Sequence, residues 1–325
     1  MNGVALRNAL DLLLDDAGRH RADEAAESWG GLLQLVQNNC QTHEDLALVA
    51  SVLLITEDSL LQFLTKSLEQ QGKGGSKVRE AIFKYLETFL TELGPERAQK
   101  YCNDVIHICL FAFKREDSNP AKGATFLPLH CILEWHLPVP SEKTAIELAK
   151  AYQNAYQRVK TITGTVKGDI LQTLGHLLEA RPQGFTQSFG FDHLWLLNEC
   201  TLVLQTQSKA NKPDQGYMAG ALAGLSLALP QCKDDEVFDA QEVAYQHIRK
   251  SIYNVQNLSR YHGLRAALGM LAFQAYRFQE HLLDDSTDII NRLIHMKTQH
   301  ANKDVRDRSD QALSAVFHQE QRHAC

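Results

Sequence analysis

Three observations predict an all-α fold, a HEAT/armadillo-like α-solenoid built as a superhelix of stacked antiparallel helix pairs. Apolar residues recur with helical period along the chain, and no alternating run bounded by turns argues for a strand. The second helices of successive pairs begin near residues 43, 76, 120, 163, 213, 258 and 302, at intervals of 33, 44, 43, 50, 45 and 44 residues. Most of these intervals fall in or near the period of about 40–47 residues expected of HEAT and armadillo repeats. Finally, one pattern repeats inside these helices. In the stretch 302–320, Val305, Ser309, Ala312, Leu313 and Val316 stand at 0, +4, +7, +8 and +11, and Val78, Ile82, Tyr85, Leu86 and Phe89 repeat that spacing. Such residues share one helix face, with small side chains where a neighbouring backbone approaches. The competing architecture is a compact helical bundle with coincidental spacing.

The elements follow in order. Residues 1–20 form a short amphipathic helix with Leu6, Leu10, Leu13 and Leu14 on one face, expected to cap the stack. The first pair is 24–40 and 43–55, with Thr42 and Asp45 at capping-box spacing between them. The second is 57–70 and 76–93, separated by a glycine turn at Gly72-Lys73-Gly74-Gly75 and closed by Gly94-Pro95. The third is 95–114 and 120–136. Pro128 lies inside its second helix and predicts a kink, because proline cannot donate to the carbonyl four residues back. The fourth is 141–160 and 163–180, and the fifth is 191–206 and 213–229. The small residues of MAGALAGLSLAL in the latter predict close helix packing. The sixth is 234–255 and 258–276, and the seventh 280–299 and 302–320. Residues 1–42 are thus expected to be an N-terminal cap and first helix, and 43–325 one continuous repeat array.

Composition bounds function. A chain of 325 residues with 44% apolar and 22% charged residues can bury a sizeable core. Its net charge of −6 excludes a globally basic nucleic-acid binder, so any such binding must come from a local stripe. The longest uncharged apolar run, Tyr217 to Pro230, is too short to span a bilayer, and the N-terminus lacks the basic and apolar regions of a signal peptide. Seven cysteines, an odd number set mostly in apolar helical runs, read as reduced thiols of a nuclear or cytosolic protein.

Catalytic chemistry is hard to assemble. The Gly72–Lys77 run lacks the spacing of a phosphate loop and no strand precedes it. Cys102, His107 and Cys109 share a helix but not a face, and structural zinc needs four convergent ligands. There is no HExxH or GxSxG element. One window does stand out. No acidic residue lies between Glu242 and Glu280, and this window holds Arg249, Lys250, Arg260, Arg265 and Arg277 with Tyr253, Tyr261 and His262. Clustered cations contact phosphates and aromatic rings stack on exposed bases, so Arg249, Lys250, Arg260, Tyr261 and Arg265 are the candidate DNA-binding residues. A weaker basic run is Lys150, Arg158, Lys160 and Lys167, near Tyr152 and Tyr156. The alternative for both runs is a solvated edge with the tyrosines in the core.

Several collinear segments carry a resemblance: LLQFLTKSLEQ with VREAIFKYLETFLTELG at 60–94, DILQTLGHLLEARPQ at 169–183, AGALAGLSLAL at 219–229, IRKSIYNVQNLSRYHGLRAALGMLAF at 248–273 and VRDRSDQALSAVF at 305–317. Over about residues 45–320 their order resembles the N-terminal helical region of the DNA-dependent protein kinase catalytic subunit family, within the phosphatidylinositol-3-kinase-related kinases. The resemblance implies a Ser/Thr protein kinase whose kinase domain, with its ATP and magnesium sites, lies far downstream. It implies a nuclear scaffold that meets the Ku heterodimer and double-stranded DNA ends in non-homologous end joining. No catalytic, cofactor-binding or metal-binding residue is expected in this chain. It stops at HQEQRHAC without a convincing terminal cap, so the resemblance also implies an N-terminal fragment or truncated product. The alternative function is a generic HEAT-repeat adaptor for protein partners, and an all-helical enzyme ranks last.

Overall fold

The structure, a computed structural model, describes residues 73–137, 142–158, 160–180, 191–233, 236–253 and 262–323. The expected cap helix 1–20, the first pair, the helix 57–70 and the Thr42–Asp45 cap lie outside these residues. The described residues form helices and no strand. These are α1 (Lys73–Leu93), α2 (Pro95–Ala98), a 3-10 turn (Gln99–Tyr101), α3 (Cys102–Arg115), α4 (Asn119–Ala124), α5 (Phe126–Glu134) and α6 (Glu142–Arg158). They continue with α7 (Gly164–Glu179), α8 (His193–Ser208), α9 (Gln215–Ala228), α10 (Phe238–Tyr253), α11 (His262–Gln274), α12 (Gln279–Gln299) and α13 (Lys303–His323). Contacts divide the chain into two compact units, Met1–Ala151 and Tyr152–Cys325.

In the first unit α1 packs on α4 and α5, and α3 packs on α5. The glycine turn expected at 72–75 is a correction: α1 begins at Lys73 and takes in Gly74 and Gly75. Glycine is tolerated there because the first turn has few intrahelical bonds to weaken. Gly94 ends the helix at φ 70° and ψ 167°, a backbone region essentially reserved for glycine, and its N–H donates to Leu90 O at 3.0 Å. The kink expected at Pro128 is a full break. The proline leaves the Ala124 carbonyl without its helical donor, and α4 ends at Ala124 while α5 starts at Phe126.

His136 closes α5 at φ 52°. Leu137 N–H reaches Ile132 O at 3.2 Å and His136 N–H reaches Leu133 O at 3.0 Å, the two bonds of a Schellman cap. Across this unit, buried Arg79 of α1 donates from Nε and Nη2 to the Glu116 carboxylate, the latter at 3.0 Å. Glu116 Oε1 also accepts from Ser118 N–H at 2.8 Å, so the carboxylate pins the loop between α3 and α4.

The second unit shows the repeat most clearly. The second helices stack as one row, α7 on α9, α9 on α11 and α11 on α13, and the first helices as another, α8 on α10 and α10 on α12. Each first helix also packs on its own second helix, in the pairs α8–α9, α10–α11 and α12–α13. This is the HEAT/armadillo-like solenoid arrangement, and it follows from apolar stripes that only a neighbouring repeat can cover. In α13, Val305, Ser309 and Ala312 are fully buried, with Leu313 and Val316 buried beside them, as the spacing requires. The Ser309 hydroxyl donates to Val305 O at 2.7 Å, so a polar side chain sits satisfied in that face.

The α7–α9 contact depends on absent side chains. Gly216, Gly220 and Gly224 lie four residues apart on one ridge of α9. A Cβ at Gly220 would stand 2.2 Å from the backbone carbon of Gly168 on α7. Helix starts are capped as their polar residues suggest. Asp192 accepts from Trp195 N–H at 2.8 Å, Asp214 from Tyr217 N–H at 3.0 Å and Asn302 from Val305 N–H at 3.3 Å.

Candidate nucleic-acid interface

The acid-free window maps onto the C-terminal half of α10, all of α11 and the 3-10 turn Ala275–Phe278. In α10 the apolar residues Ala244, Tyr245, Ile248 and Ile252 are buried, and this fixes what the opposite face presents. Arg249 and Lys250 are exposed in its last turns. Cations there complement the negative end of the helix dipole, so the chain can hold them at no cost to the helix.

At the end of α10, half-buried Tyr253 gathers two guanidinium groups. That of Arg249 lies 5.9 Å from the ring centroid and that of Arg292, from α12, lies 5.3 Å away. Arg292 falls outside the window by sequence, and the structure leaves it exposed at the edge of the buried stripe Ile289, Leu293 and Met296 of α12.

Arg265 has a different setting. Its Nε lies 2.7 Å from Asp304 Oδ2, and Asp304 also takes Arg308 Nε at 3.1 Å. The Arg265 charge therefore ties α11 to α13 and is compensated in place. Arg260 and Tyr261 lie outside the described residues. Arg277, at the far end of the window, donates from Nε to Tyr276 Oη at 3.1 Å, and its guanidinium stands 5.4 Å from that ring. The structure thus brings Arg249 and Arg292 to one ring, leaves Lys250 exposed at the end of α10, and sets Arg265 into the packing between repeats.

Beneath this surface, His247 is buried with Nε2 3.0 Å from Ser208 Oγ of α8. Burial, reinforced by the nearby Lys250 charge, pushes its imidazole down from 6.5 to about 4. It is neutral at physiological pH and adds no charge to the window.

The weaker basic run is built differently. Tyr152 is fully buried. Tyr156 donates to Glu199 Oε2 at 3.0 Å, its hydroxyl lies 3.0 Å from that of Tyr217, and its ring meets Trp195 edge-on at 6.2 Å. Burial, then the Tyr217 and Glu199 contacts, hold its hydroxyl well above the usual tyrosine range. Lys150, Arg158 and Lys160 are exposed. Lys167 stands 5.8 Å from the Tyr156 ring. These tyrosines serve as packing and hydrogen-bonding groups.

Cys102 and Cys109 are buried on α3 while His107 is exposed. Burial pushes the Cys102 thiol up to about 11 and drives Cys109 higher still. Among the described residues, no group of three or more His, Cys, Asp and Glu stands where it could hold a metal ion. An open groove of about 490 Å³ in the first unit is lined by Asp104, His107, Phe111, Lys114 and Glu147. There the Lys114 ammonium, hydrogen-bonded at 2.5 Å, holds the Glu147 carboxyl below the usual range. A carboxylate so stabilised is a weak base, which does not suit acid–base catalysis.

Comparison with known proteins adds the family. The family model described as DNA-PKcs, N-terminal, matches residues 47–323. The chain is 23% identical over 290 residues to the DNA-dependent protein kinase catalytic subunit of Dictyostelium discoideum, covering 85% of the chain and 6% of that protein. It is 24% identical over 280 residues to the protein of the same name from Xenopus laevis, covering 84% of the chain and 7% of that protein. The chain therefore spans a small fraction of the length of these relatives.

Proposed function

The chain belongs to the DNA-PKcs N-terminal family, and on that premise we propose that it is a scaffold arm which contacts double-stranded DNA ends through the sixth repeat. In this reading it works with the Ku heterodimer in non-homologous end joining, in the nucleus. It contributes position and charge, while ATP, magnesium and Ser/Thr kinase chemistry belong to a kinase domain of the kind its relatives are named for. The observation that carries the reading is the exposed Arg249–Lys250 pair inside a window with no acid between Glu242 and Glu280, in a chain of net charge −6. A local positive field on an otherwise acidic molecule directs a polyanion to one place.

The test is affinity for a blunt-ended duplex, for the chain and for a variant with Arg249, Lys250 and Arg260 changed to Glu. Arg265 is left intact because it pairs with Asp304. The variant is expected to lose most binding, and equal affinities would remove the window from the DNA contact. A second reading, a protein adaptor, is favoured by one feature of the same repeat. Phe238, Phe273 and Tyr276 are 77%, 73% and 51% exposed, more aromatic surface than solvation alone calls for. It predicts that changing Phe273 and Tyr276 to Ser weakens Ku binding in a titration without DNA. Unchanged Ku affinity would count against it.

A further inference from the structure

We infer that the acidic start of α10, with Phe238 at its centre, is a docking surface for a protein partner that offers an apolar pocket rimmed by lysine or arginine. This rests on the adaptor reading above, names the partner's chemistry, and is independent of the DNA contact. It begins with an apolar stripe that outruns its cover. Phe238 stands seven residues before Tyr245, two turns along one face of α10. At Tyr245 that face is covered. The residue is buried, and its ring lies 6.1 Å from that of Phe278 and 4.7 Å from that of His281. Phe238, on the same face, is 77% exposed, the highest value among the exposed large apolar residues. Aromatic side chains of this kind anchor protein interfaces by filling a pocket on the partner.

Charge decides what that partner is. From Lys233 to Glu242 the chain holds one lysine against five acids, a net charge of −4. Glu236, Asp239 and Glu242 are exposed. A neighbouring helix adds the same sign through Asp192, the N-cap of α8. Burial first, then Glu236 and Asp192, push the half-buried Cys232 thiol up to about 11 against the pull of Arg277. Acids at a helix start suit its dipole, but the dipole does not account for an exposed phenylalanine among them. Such a field repels a polyanion and steers in a cationic rim. Lys250 stands twelve residues further on, about 18 Å away at the helical rise. One helix thus presents an acidic, aromatic end to protein and a cationic end to DNA.

The probe is a fluorescent synthetic amphipathic helix of leucine and lysine, set against its counterpart with glutamate in place of lysine. Fluorescence anisotropy follows their binding to the full chain. The lysine peptide should bind and the glutamate peptide should not. Phe238→Ser should weaken binding at least about tenfold, the loss of an interface anchor. Glu236→Gln combined with Asp239→Asn should weaken it about threefold and flatten its salt dependence. Phe238→Ser should leave the urea midpoint and the affinity for a blunt duplex unchanged, because the side chain lies in solvent and away from the cations. Equal affinity for the two peptides would overturn the inference. If Phe273→Ser and Tyr276→Ser weaken binding and Phe238→Ser does not, the inference is overturned and the adaptor reading stands. If none of the three does, the inference is overturned and the adaptor reading rests on its Ku titration alone. A dimer in sedimentation that Phe238→Ser abolishes would make a second copy the occupant and also overturn it.

Discussion

Replacing Gly220 by alanine should damage the α7–α9 stack more than any single methyl group elsewhere on these helices. The new Cβ would lie 2.2 Å from Gly168 C, 2.3 Å from Gly168 O and 2.4 Å from Gly168 Cα. Carbon atoms prefer separations of about 3.5–4.0 Å, so the helices must part by more than about 1 Å along this line. The obstacle is backbone on both sides, and no rotamer change relieves it. Gly168 is itself wedged against α9, since a Cβ there would meet Gly216 O at 2.6 Å, so sliding α7 along the ridge only moves the clash. Overpacking costs roughly 1–3 kcal/mol and more where nothing yields, while alanine regains about 1 kcal/mol of helix propensity. A net loss of about 2 kcal/mol is expected.

The assay is urea unfolding followed by far-UV circular dichroism, with Gly269→Ala as the control. Gly269 lies within α11 and a Cβ there meets nothing within 4 Å, so that change should stabilise by about 1 kcal/mol. With a urea slope of about 3 kcal/mol per molar, the two midpoints should move in opposite directions, Gly220→Ala by about −0.7 M. If Gly220→Ala is neutral or matches the control, the close approach of α7 and α9 is refuted.

Three further outcomes follow from the packing. Glu116→Gln leaves the buried Arg79 guanidinium without its carboxylate and should destabilise by about 3–5 kcal/mol in urea unfolding; a loss under about 1 kcal/mol would show the pair to be solvated. His136→Gly should raise stability by about 1 kcal/mol, because φ 52° strains a residue with a Cβ, and a lower midpoint would contradict the Schellman cap. His247 links stability to pH. Its folded value of about 4 lies below the ordinary 6.5, so the unfolded chain binds the proton more readily. Its contribution is complete above about pH 6.5, falls as pH drops toward 4 and is lost below, about 3 kcal/mol in all. His247→Gln should flatten the stability profile between those limits, and an unchanged profile would place the imidazole in solvent.

What the sequence disclosed follows the range of each interaction. The stripe Val305 to Val316 is a local period, and burial matches it residue by residue. The small residues of 217–229 announced a close approach, and Gly220 makes one. Pro128 announced a kink because its missing donor acts four residues away. The remaining features join residues far apart in the chain. Arg79 meets Glu116 across 37 positions, and no local pattern marks either as buried. Arg265 looked like a free cation because Asp304, its partner, lies a whole repeat later. Arg292 was missed for the converse reason, since an acid-free window follows charge along the chain while the Tyr253 ring collects guanidiniums from two helices. His136 escaped notice because a positive φ at a helix end is expected of glycine.

The central claim is that DNA lies against the sixth repeat, at the exposed last turns of α10. Ultraviolet crosslinking of a blunt duplex to the chain, with the linked peptides identified by mass spectrometry, tests it most directly. Links should concentrate on peptides carrying Arg249 and Lys250 and disappear as salt is raised. Links concentrated on the Lys150–Lys167 segment, or a pattern insensitive to salt, would contradict the account.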